Sequence, residues 1–506
     1  MKRNILLAGP SASGKTTLSN ALSFDGARFV VSTSAYLKGL TGIRRSAELY
    51  QAGVKLDRDN PSWLYDLVRR DMPTTSVVVD AIRSFEQHNS FGDDVVRINV
   101  VADPEAFPQR HSERGTQPQP TPFMFNRPDF VWNSSRTSVS SAVACINQLA
   151  GGGSADIIIG GQFGSEGKGK LAALLAPNYD VLLRSGGPNA GHWVRGDDYE
   201  YCFHHLPSGT KANLRATIAI AAGATLYPPS FWKEVQETDC RGRLMVDRNA
   251  VLIEDSDRDL ERDGAQGAFG SNLVARVGST AQGVGSAHSR RVMRGLVDPV
   301  RTAADDSDFY PVAWDMAKVL DSNLHSGKSV LVEGTQGSGL SLYHGPYPFT
   351  TSRDTNVNGL LSESGLNPIH LRHVWMVVRS LPIRVGGNSG PMDSEITWQE
   401  VAIRSGRNPT ELAGQELTST TKRQRRVSEF SWSEFTRAVM LNRPTRIFLS
   451  FADYITPKAQ GVRRFQDLPT EVLQFVDELE SRAHVPVAGV STGRHQDDVC
   501  FRKGYL

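Results

Sequence analysis

Gly160-Gly161-Gln162-Phe163-Gly164-Ser165-Glu166-Gly167-Lys168-Gly169-Lys170 follows directly on an apolar run, Asp156-Ile157-Ile158-Ile159. A buried strand, a glycine-rich loop and then a helix is the arrangement by which parallel α/β sheets hold phosphate. The glycines let backbone N–H groups close on phosphate oxygens, and the helix N-terminus adds partial positive charge. Lys168 and Lys170 flank that nest. The stretch therefore predicts an α/β fold with a nucleotide site at Gly164, Glu166, Gly167, Lys168, Gly169 and Lys170.

Working outward toward the start of the chain, a second loop of the same kind appears. Gly9-Pro10-Ser11-Ala12-Ser13-Gly14-Lys15-Thr16 follows the apolar run Ile5-Leu6-Leu7-Ala8 and fits G-x-x-x-x-G-K-S/T. In that pattern Gly9, Ser13 and Gly14 shape the phosphate cradle, Lys15 reaches the β- and γ-phosphates, and the Thr16 hydroxyl ligates Mg²⁺. Apolar β-branched runs at 77–80 and 95–101 predict further strands of a buried parallel sheet. Asp80 ends one of them, Arg83 follows, and Arg110 to Gly115 forms a basic segment suited to covering phosphates. The proline-rich stretch 116–128 reads as an irregular excursion. A last strand is expected at 129–132 and a last helix at 138–149. Ala150-Gly151-Gly152-Gly153-Ser154 then reads as a linker, which divides the chain into 1–149, 150–154 and 155–506.

Bulk properties agree with a polypeptide of more than one domain. The chain has 506 residues, 39% of them hydrophobic and 22% charged, and a mean hydropathy of −0.33. No apolar run is long enough to span a bilayer, so no membrane role is expected. The start lacks a signal-peptide cleavage pattern, which points to the cytoplasm. Fifty-six basic and 54 acidic residues give a formal charge of +2, so no direct nucleic-acid binding is expected and anionic substrates must be held by local clusters. Cys145, Cys202, Cys240 and Cys500 show no metal-ligand spacing and are assigned no chemistry.

The first 150 residues, on the strength of the P-loop, VVVDAIR, RHSERG and PDFVWNSS, resemble nucleoside monophosphate kinases. The resemblance implies phosphoryl transfer from ATP to a nucleotide. The rest of the chain resembles adenylosuccinate synthetases, whose loop reads G-x-Q-W/F-G-D-E-G-K-G-K. Further segments match in the family's order: GGPNAGH at 186–192, HHLPSG at 204–209, VGSTAQGVGSAHSRRVMRG at 277–295, EGTQG at 333–337, YPFTTS at 347–352 and ELTSTTKRQRR at 416–426. The expected architecture is thus an N-terminal P-loop parallel-sheet kinase-like domain followed by an adenylosuccinate-synthetase-like α/β domain.

That resemblance implies roles. Asn189, Thr280, Gln336, Thr351 and Arg423 would hold the acceptor nucleotide, and Arg294 would reach across a homodimer interface to the partner's nucleotide. Thr420, Thr421, Arg423 and Arg425 belong to the loop that captures L-aspartate. His192 would be the acid at the transferring phosphoryl group, with Lys168 and Gln336 beside it, and the Gly191 carbonyl a Mg²⁺ ligand. In the implied chemistry a carboxylate takes the purine N1 proton, O6 attacks the γ-phosphate, and the aspartate amine displaces the 6-phosphoryl group.

The family carboxylate falls at position 165, where this chain has Ser165, placed here among both the catalytic and the metal-site residues. Loss of a general base costs about 10²- to 10⁴-fold in rate. Three readings stand: an inactive module, another base, or adaptation to a different purine. The same serine marks the phage-type 2-aminoadenylosuccinate synthetase branch, which this chain resembles. The resulting expectation is ligation of L-aspartate to dGMP with ATP or dATP, GTP being the alternative donor. An ordinary IMP- and GTP-using synthetase and a non-catalytic nucleotide sensor are the competing functions. The donor-base element reads Leu449-Ser450-Phe451-Ala452-Asp453, with Asp453 kept and Phe451 where the family has lysine. Gln282 and His288 also depart from the pattern. Lys422 replaces a loop glycine and is expected to restrict positive φ there.

Overall fold

The computed structural model describes all residues except 1–3, 24–27, 45, 61, 73–75, 93–94, 115–122, 127, 152–153, 197, 265–271, 297, 419–421, 504 and 506. The chain divides into two compact units, Met1–Gly152 and Gly153–Leu506.

In the first unit five parallel strands lie in the order Phe29–Ser32, Val77–Asp80, Asn4–Ala8, Val95–Val101 and Phe130–Asn133. Successive side chains of the central strand point to opposite faces, and both faces are covered. Leu6 and Ala8 pack with Leu37, Leu64 and Val68, whereas Ile5 and Leu7 pack with Leu18, Leu22 and Ile146. The Lys15–Leu22 helix starts at Gly14, whose φ of 106° only glycine adopts readily. The final helix runs from Val139 to Gly151. The helix thus runs two residues into the segment expected as a linker, Ala150 and Gly151 still carrying helical backbone. Most of the proline-rich excursion lies outside the described residues.

The second unit is built on a ten-stranded sheet. From one edge its strands are Ala313–Trp314, Leu244–Asp247, Thr217–Ile220, Val181–Arg184, Val330–Glu333, Ala155–Gly160, Leu371–Arg379, Arg446–Ser450, Val487–Ser491 and Val499–Phe501. All neighbours are parallel except the last pair. Ile157 and Ile159 face one apolar cluster and Ile158 the other. The Ala155–Gly160 strand sits where the chain, having built one half of the sheet, returns to build the other. In open α/β sheets ligands bind at that reversal, outside the carboxyl ends of the strands. Two small additions frame the same end: the antiparallel hairpin His192–Arg195 with Glu200–Phe203, and a three-stranded sheet joining Ile383–Arg384, Arg426–Ser428 and Glu395–Ile396.

Candidate active site

Loop 160–170 closes around its own carboxylate. Glu166 is fully buried and accepts hydrogen bonds from the N–H of Gln162 (3.2 Å) and Gly164 (2.7 Å). It pairs with the equally buried Lys168 ammonium at 2.6 Å. Lys168 also donates to the Gln336 carbonyl, so loop 160–170 and loop 334–337 are fastened by one cation. Gly160 has no room for a side chain: a Cβ there would lie 2.6 Å from both Gln336 O and Glu166 Oε2. Gly167 begins the Lys168–Leu175 helix at φ 94°. Ser165, at the crest, is exposed and has a left-handed φ of 57°.

Two cavities flank this crest. The larger, about 430 Å³, is lined by Asn189, Thr280, Gln336, Thr351, Arg384 and Thr418 among others. The smaller, about 180 Å³, is lined by Gly167, Lys168, Lys170, Phe451, Asp453 and Tyr454 among others. Ser165, Gly191, His192 and Arg425 border both, which is the geometry needed to pass a group from a ligand in one cavity to a ligand in the other. Gln336 Nε2 donates to Asn189 Oδ1 at 3.2 Å, and the Thr335 hydroxyl holds Gln336 Oε1 at 2.8 Å, so the amide is aimed before any ligand arrives.

His192 is positioned by residues whose roles the sequence did not reveal. Its Nδ1 meets Glu333 Oε1. The same carboxylate pairs with Arg184 at 3.2 Å and accepts from Ser208 N–H at 2.6 Å and Ser208 Oγ at 2.5 Å. Arg184 and these neighbours hold the Glu333 carboxyl down to about 2 despite its burial. Burial first, and the Arg184 charge second, push His192 down to about 4. The ionised Glu333 therefore fixes a neutral imidazole with its proton on Nδ1 and Nε2 open. Glu333 and Arg184 each end an apolar strand, VLVE and VLLR, and that terminal position was the available signal.

Every described carboxylate lining the two cavities is already engaged. Glu261 accepts from the N–H groups of Gly283, Gly285 and Ser286. Glu416 is held by Arg379 (2.6 Å), Tyr454 OH (2.6 Å) and Arg425 (3.1 Å) and is lowered to about 2 by the two arginines against its burial. Asp453 is paired with Arg407. Among the described lining residues none offers a free carboxylate in place of the one absent at 165.

Arg294 is exposed and lines neither cavity of its own chain, as a residue expected to serve a partner's site would. Arg423, expected to hold the acceptor nucleotide, lines neither cavity either. Arg423 instead shapes a tight hairpin through its backbone, its N–H reaching Thr418 Oγ1 at 2.9 Å and its carbonyl accepting from Thr418 N–H at 2.8 Å. Thr420 and Thr421 lie outside the described residues. Lys422 adopts φ 52° despite its side chain, because the turn requires it, at a cost of about 1–2 kcal/mol. Lys170 lines the smaller cavity, but its ammonium is bound by Ser491 Oγ (2.9 Å), Asp498 O (2.8 Å) and Gly493 O (3.1 Å), and burial lowers it to about 8.

In the first unit Thr16 Oγ1 donates to Asp80 Oδ2 at 2.8 Å. A hydroxyl beside a carboxylate is a hard-oxygen set that fits Mg²⁺. Lys15 folds onto the Gly9 (2.8 Å) and Pro10 (2.6 Å) carbonyls. Arg110 reaches Ser134 Oγ at 2.8 Å, which in turn binds the Ser13 carbonyl at 2.6 Å; Arg83 binds Ser34 Oγ at 2.8 Å. In the second unit the oxygens at Ser165 and Gly191 are neutral, so a Mg²⁺ there would depend on phosphate oxygens for its charge balance.

The adenylosuccinate synthetase family model matches residues 157–306 and 296–457. The adenylosuccinate synthetase of Thermococcus onnurineus is 35% identical over 357 residues, 69% of this chain and 99% of that protein. That of Methanococcus vannielii is 34% identical over 343 residues, covering 67% and 95%. Among solved structures, the fully ligated enzyme of Plasmodium falciparum shares the fold, with a TM-score of 0.61 and 20% identity over 69% of this chain and all of that one. The succinoaminodeoxyadenylate synthetase of cyanophage S-2L, solved with dGMP and with dATP as energy donor, superposes with a TM-score of 0.58 and 27% identity, covering 69% and 95%.

Proposed function

Since the chain belongs to the adenylosuccinate synthetase family, the ligases that join aspartate to a purine nucleotide, we propose that its second unit joins L-aspartate to C6 of dGMP. The product is 2-amino-2'-deoxyadenylosuccinate. The observation that carries this reading is Ser165 at the seam of two cavities whose lining carboxylates are all otherwise engaged. A guanine brings a 2-amino group beside N1, where an aspartate side chain would crowd it. A serine leaves room and accepts a hydrogen bond. The likeness to a ligase bound to dGMP and dATP supports the same reading.

The larger cavity takes dGMP and aspartate, and the smaller takes the triphosphate. O6 attacks the γ-phosphorus, the bond to the β-bridging oxygen breaks, and the nucleoside diphosphate leaves. The aspartate amine then adds at C6 and expels inorganic phosphate. Removal of the N1 proton runs through Ser165 as a relay to a phosphate oxygen. His192, neutral in the free protein, takes up a proton as phosphate charge arrives, and Glu333 steadies the imidazolium. Ser165 and the Gly191 carbonyl would hold a Mg²⁺, which would supply charge neutralisation at the transferring phosphoryl group. ATP or dATP as donor is supported by Phe451 standing where the family has lysine and by the likeness to a ligase bound to dATP.

Exposed Arg294 suits a homodimer in which each subunit completes the other's acceptor site. The first unit, with its P-loop and the Thr16–Asp80 pair, is assigned as a nucleoside monophosphate kinase, in keeping with a product that must be phosphorylated before polymerisation. The working compartment is the cytoplasm. Incubating the protein with Mg²⁺, L-aspartate, ATP or GTP, and either dGMP or IMP, and looking for the succinyl adduct by mass spectrometry, tests the ligase reading. Adduct from IMP alone refutes the 2-aminopurine substrate, and no adduct from any purine favours a nucleotide sensor.

A further inference from the structure

The crossover helix Met316–His325 packs on the sheet by Met316, Leu320 and Leu324, all buried. That spacing fixes its rotation, so Asp321 and His325, each one residue further round and one turn apart, stack along its exposed edge. His325 is the last helical residue. Its Nδ1 donates to the Asp321 carbonyl at 2.8 Å, and Asp321 Oδ1 lies 3.3 Å from the same nitrogen. A third group arrives from another segment. The turn Pro368–His370 leads into the Leu371–Arg379 strand and brings in His370, 7% exposed, whose ring meets that of His325 edge to face at 5.9 Å between centroids. One carboxylate oxygen of Asp321 and one ring nitrogen from each histidine all lie within 4.8 Å of one another. Among the described residues no other three histidine, cysteine or carboxylate side chains converge in this way.

We propose that Asp321, His325 and His370 bind a divalent transition-metal ion, zinc above all. Two imidazoles and one carboxylate are a donor set of three-ligand zinc sites, in which water takes the fourth position. Mg²⁺ and Ca²⁺ call for oxygen ligands instead. Zinc–nitrogen bonds of about 2.0–2.1 Å place tetrahedral donors about 3.3 Å apart. The exposed Asp321 and His325 side chains can swing inward to that spacing, while buried His370 is the fixed member. The Asp321 carbonyl, which can only accept, orients the His325 ring as outer partners of metal-bound histidines do. A cation at this place also sits at a helix C-terminus, where the last carbonyls carry partial negative charge.

The Val330–Glu333 strand that follows the helix and the Leu371–Arg379 strand that follows the turn flank Ala155–Gly160 in the sheet. Both start from this end, so the ion lies at the amino ends of the strands, and the two cavities lie beyond their carboxyl ends. Its role is to staple the helix to the turn, and it is independent of the ligase reading.

Isothermal titration of the metal-free full chain with ZnCl₂, at about pH 7.5 where an ordinary imidazole is neutral, tests the site. One saturable zinc per chain is expected, and excess Mg²⁺ should not displace it. Asp321→Asn and His325→Ala change exposed residues, so both should fold normally, and each should weaken binding by at least about 10- to 100-fold. His484→Ala, at an exposed histidine beyond the Thr470–Ala483 helix, should change nothing. Zinc should raise the melting temperature of the parent and leave that of His325→Ala unmoved. Absence of saturable zinc binding overturns the proposal. Zinc whose affinity ignores both Asp321→Asn and His325→Ala is bound elsewhere and overturns it equally. Displacement by Mg²⁺ overturns the choice of a transition metal.

Discussion

Ser165→Asp puts the proposed substrate to its sharpest test. The substitution adds a carboxylate to an exposed residue already at φ 57°, a region that aspartate enters more readily than serine. Stability should stay within about 0.5 kcal/mol of the parent. The new carboxylate sits at the seam of both cavities and has no rival, because Glu261, Glu416 and Asp453 are all held by other groups. Gaining a general base should raise kcat/KM for IMP by about 10²- to 10⁴-fold, or about 2.7–5.5 kcal/mol of transition-state stabilisation. Crowding of the 2-amino group should lower the value for dGMP by about 10-fold or more. The IMP-to-dGMP ratio should thus rise by at least about 10³. Initial rates of succinyl-adduct formation, read by mass spectrometry across both purines, measure that ratio. A folded variant whose ratio stays within tenfold of the parent refutes the account of Ser165.

Other outcomes follow from the same geometry. Glu333→Gln removes the charge that fixes the His192 tautomer and leaves Arg184 buried without its counterion; kcat should fall by about 10- to 100-fold, and the melting temperature should fall by an amount matching about 3–5 kcal/mol, whereas unchanged ligation would dismiss the His192–Glu333 pair as machinery. Acid sensitivity should come in two stages. Buried His192 and His205 titrate at about 4 and about 3, below the unfolded value of about 6.5, so stability is full above pH 6.5 and declines as pH drops from there. Glu333 and Glu416, at about 2, add a second loss below about pH 4.5. Thermal melts of His205→Gln, which keeps a donor near Ser230, should show a shallower decline between pH 6.5 and 4, and an identical slope would contradict the assignment. Lys15→Ala should abolish phosphorylation of nucleoside monophosphates and spare ligation, so a parallel loss of adduct would refute independent chemistry in the two units.

The parts of the fold that could be read from sequence are those where one local rule decides. Apolar β-branched runs ending in glycine-rich loops located the Asn4–Ala8 and Ala155–Gly160 strands within a residue, because burial on both faces permits little else. Asn189, Thr280, Gln336 and Thr351, which the resemblance assigned to one ligand, line one cavity; Asn189 and Gln336 sit in loops that follow sheet strands, Thr280 and Thr351 in loops between helical segments. Side chains that support them were not legible. An arginine closing an apolar strand reads the same whether it meets solvent or, like Arg184 and Arg379, a buried carboxylate. Nor does KRQRR distinguish Arg425, which borders both cavities, from Arg423, which braces the hairpin. That difference is set by the bridge between Leu417 and Gln424, a pairing formed only after the loop folds back.

Lys168 has one ammonium shared between two acceptors, the Glu166 carboxylate and the Gln336 carbonyl. Phosphate entering beside Gly167 competes for the same three protons. Any share it takes would loosen the tie to Gln336, which lines the other cavity. Occupancy of one cavity is thus thermodynamically linked to occupancy of the other, and the linkage is reciprocal: the factor by which the triphosphate alters nucleotide affinity must equal the factor by which the nucleotide alters triphosphate affinity.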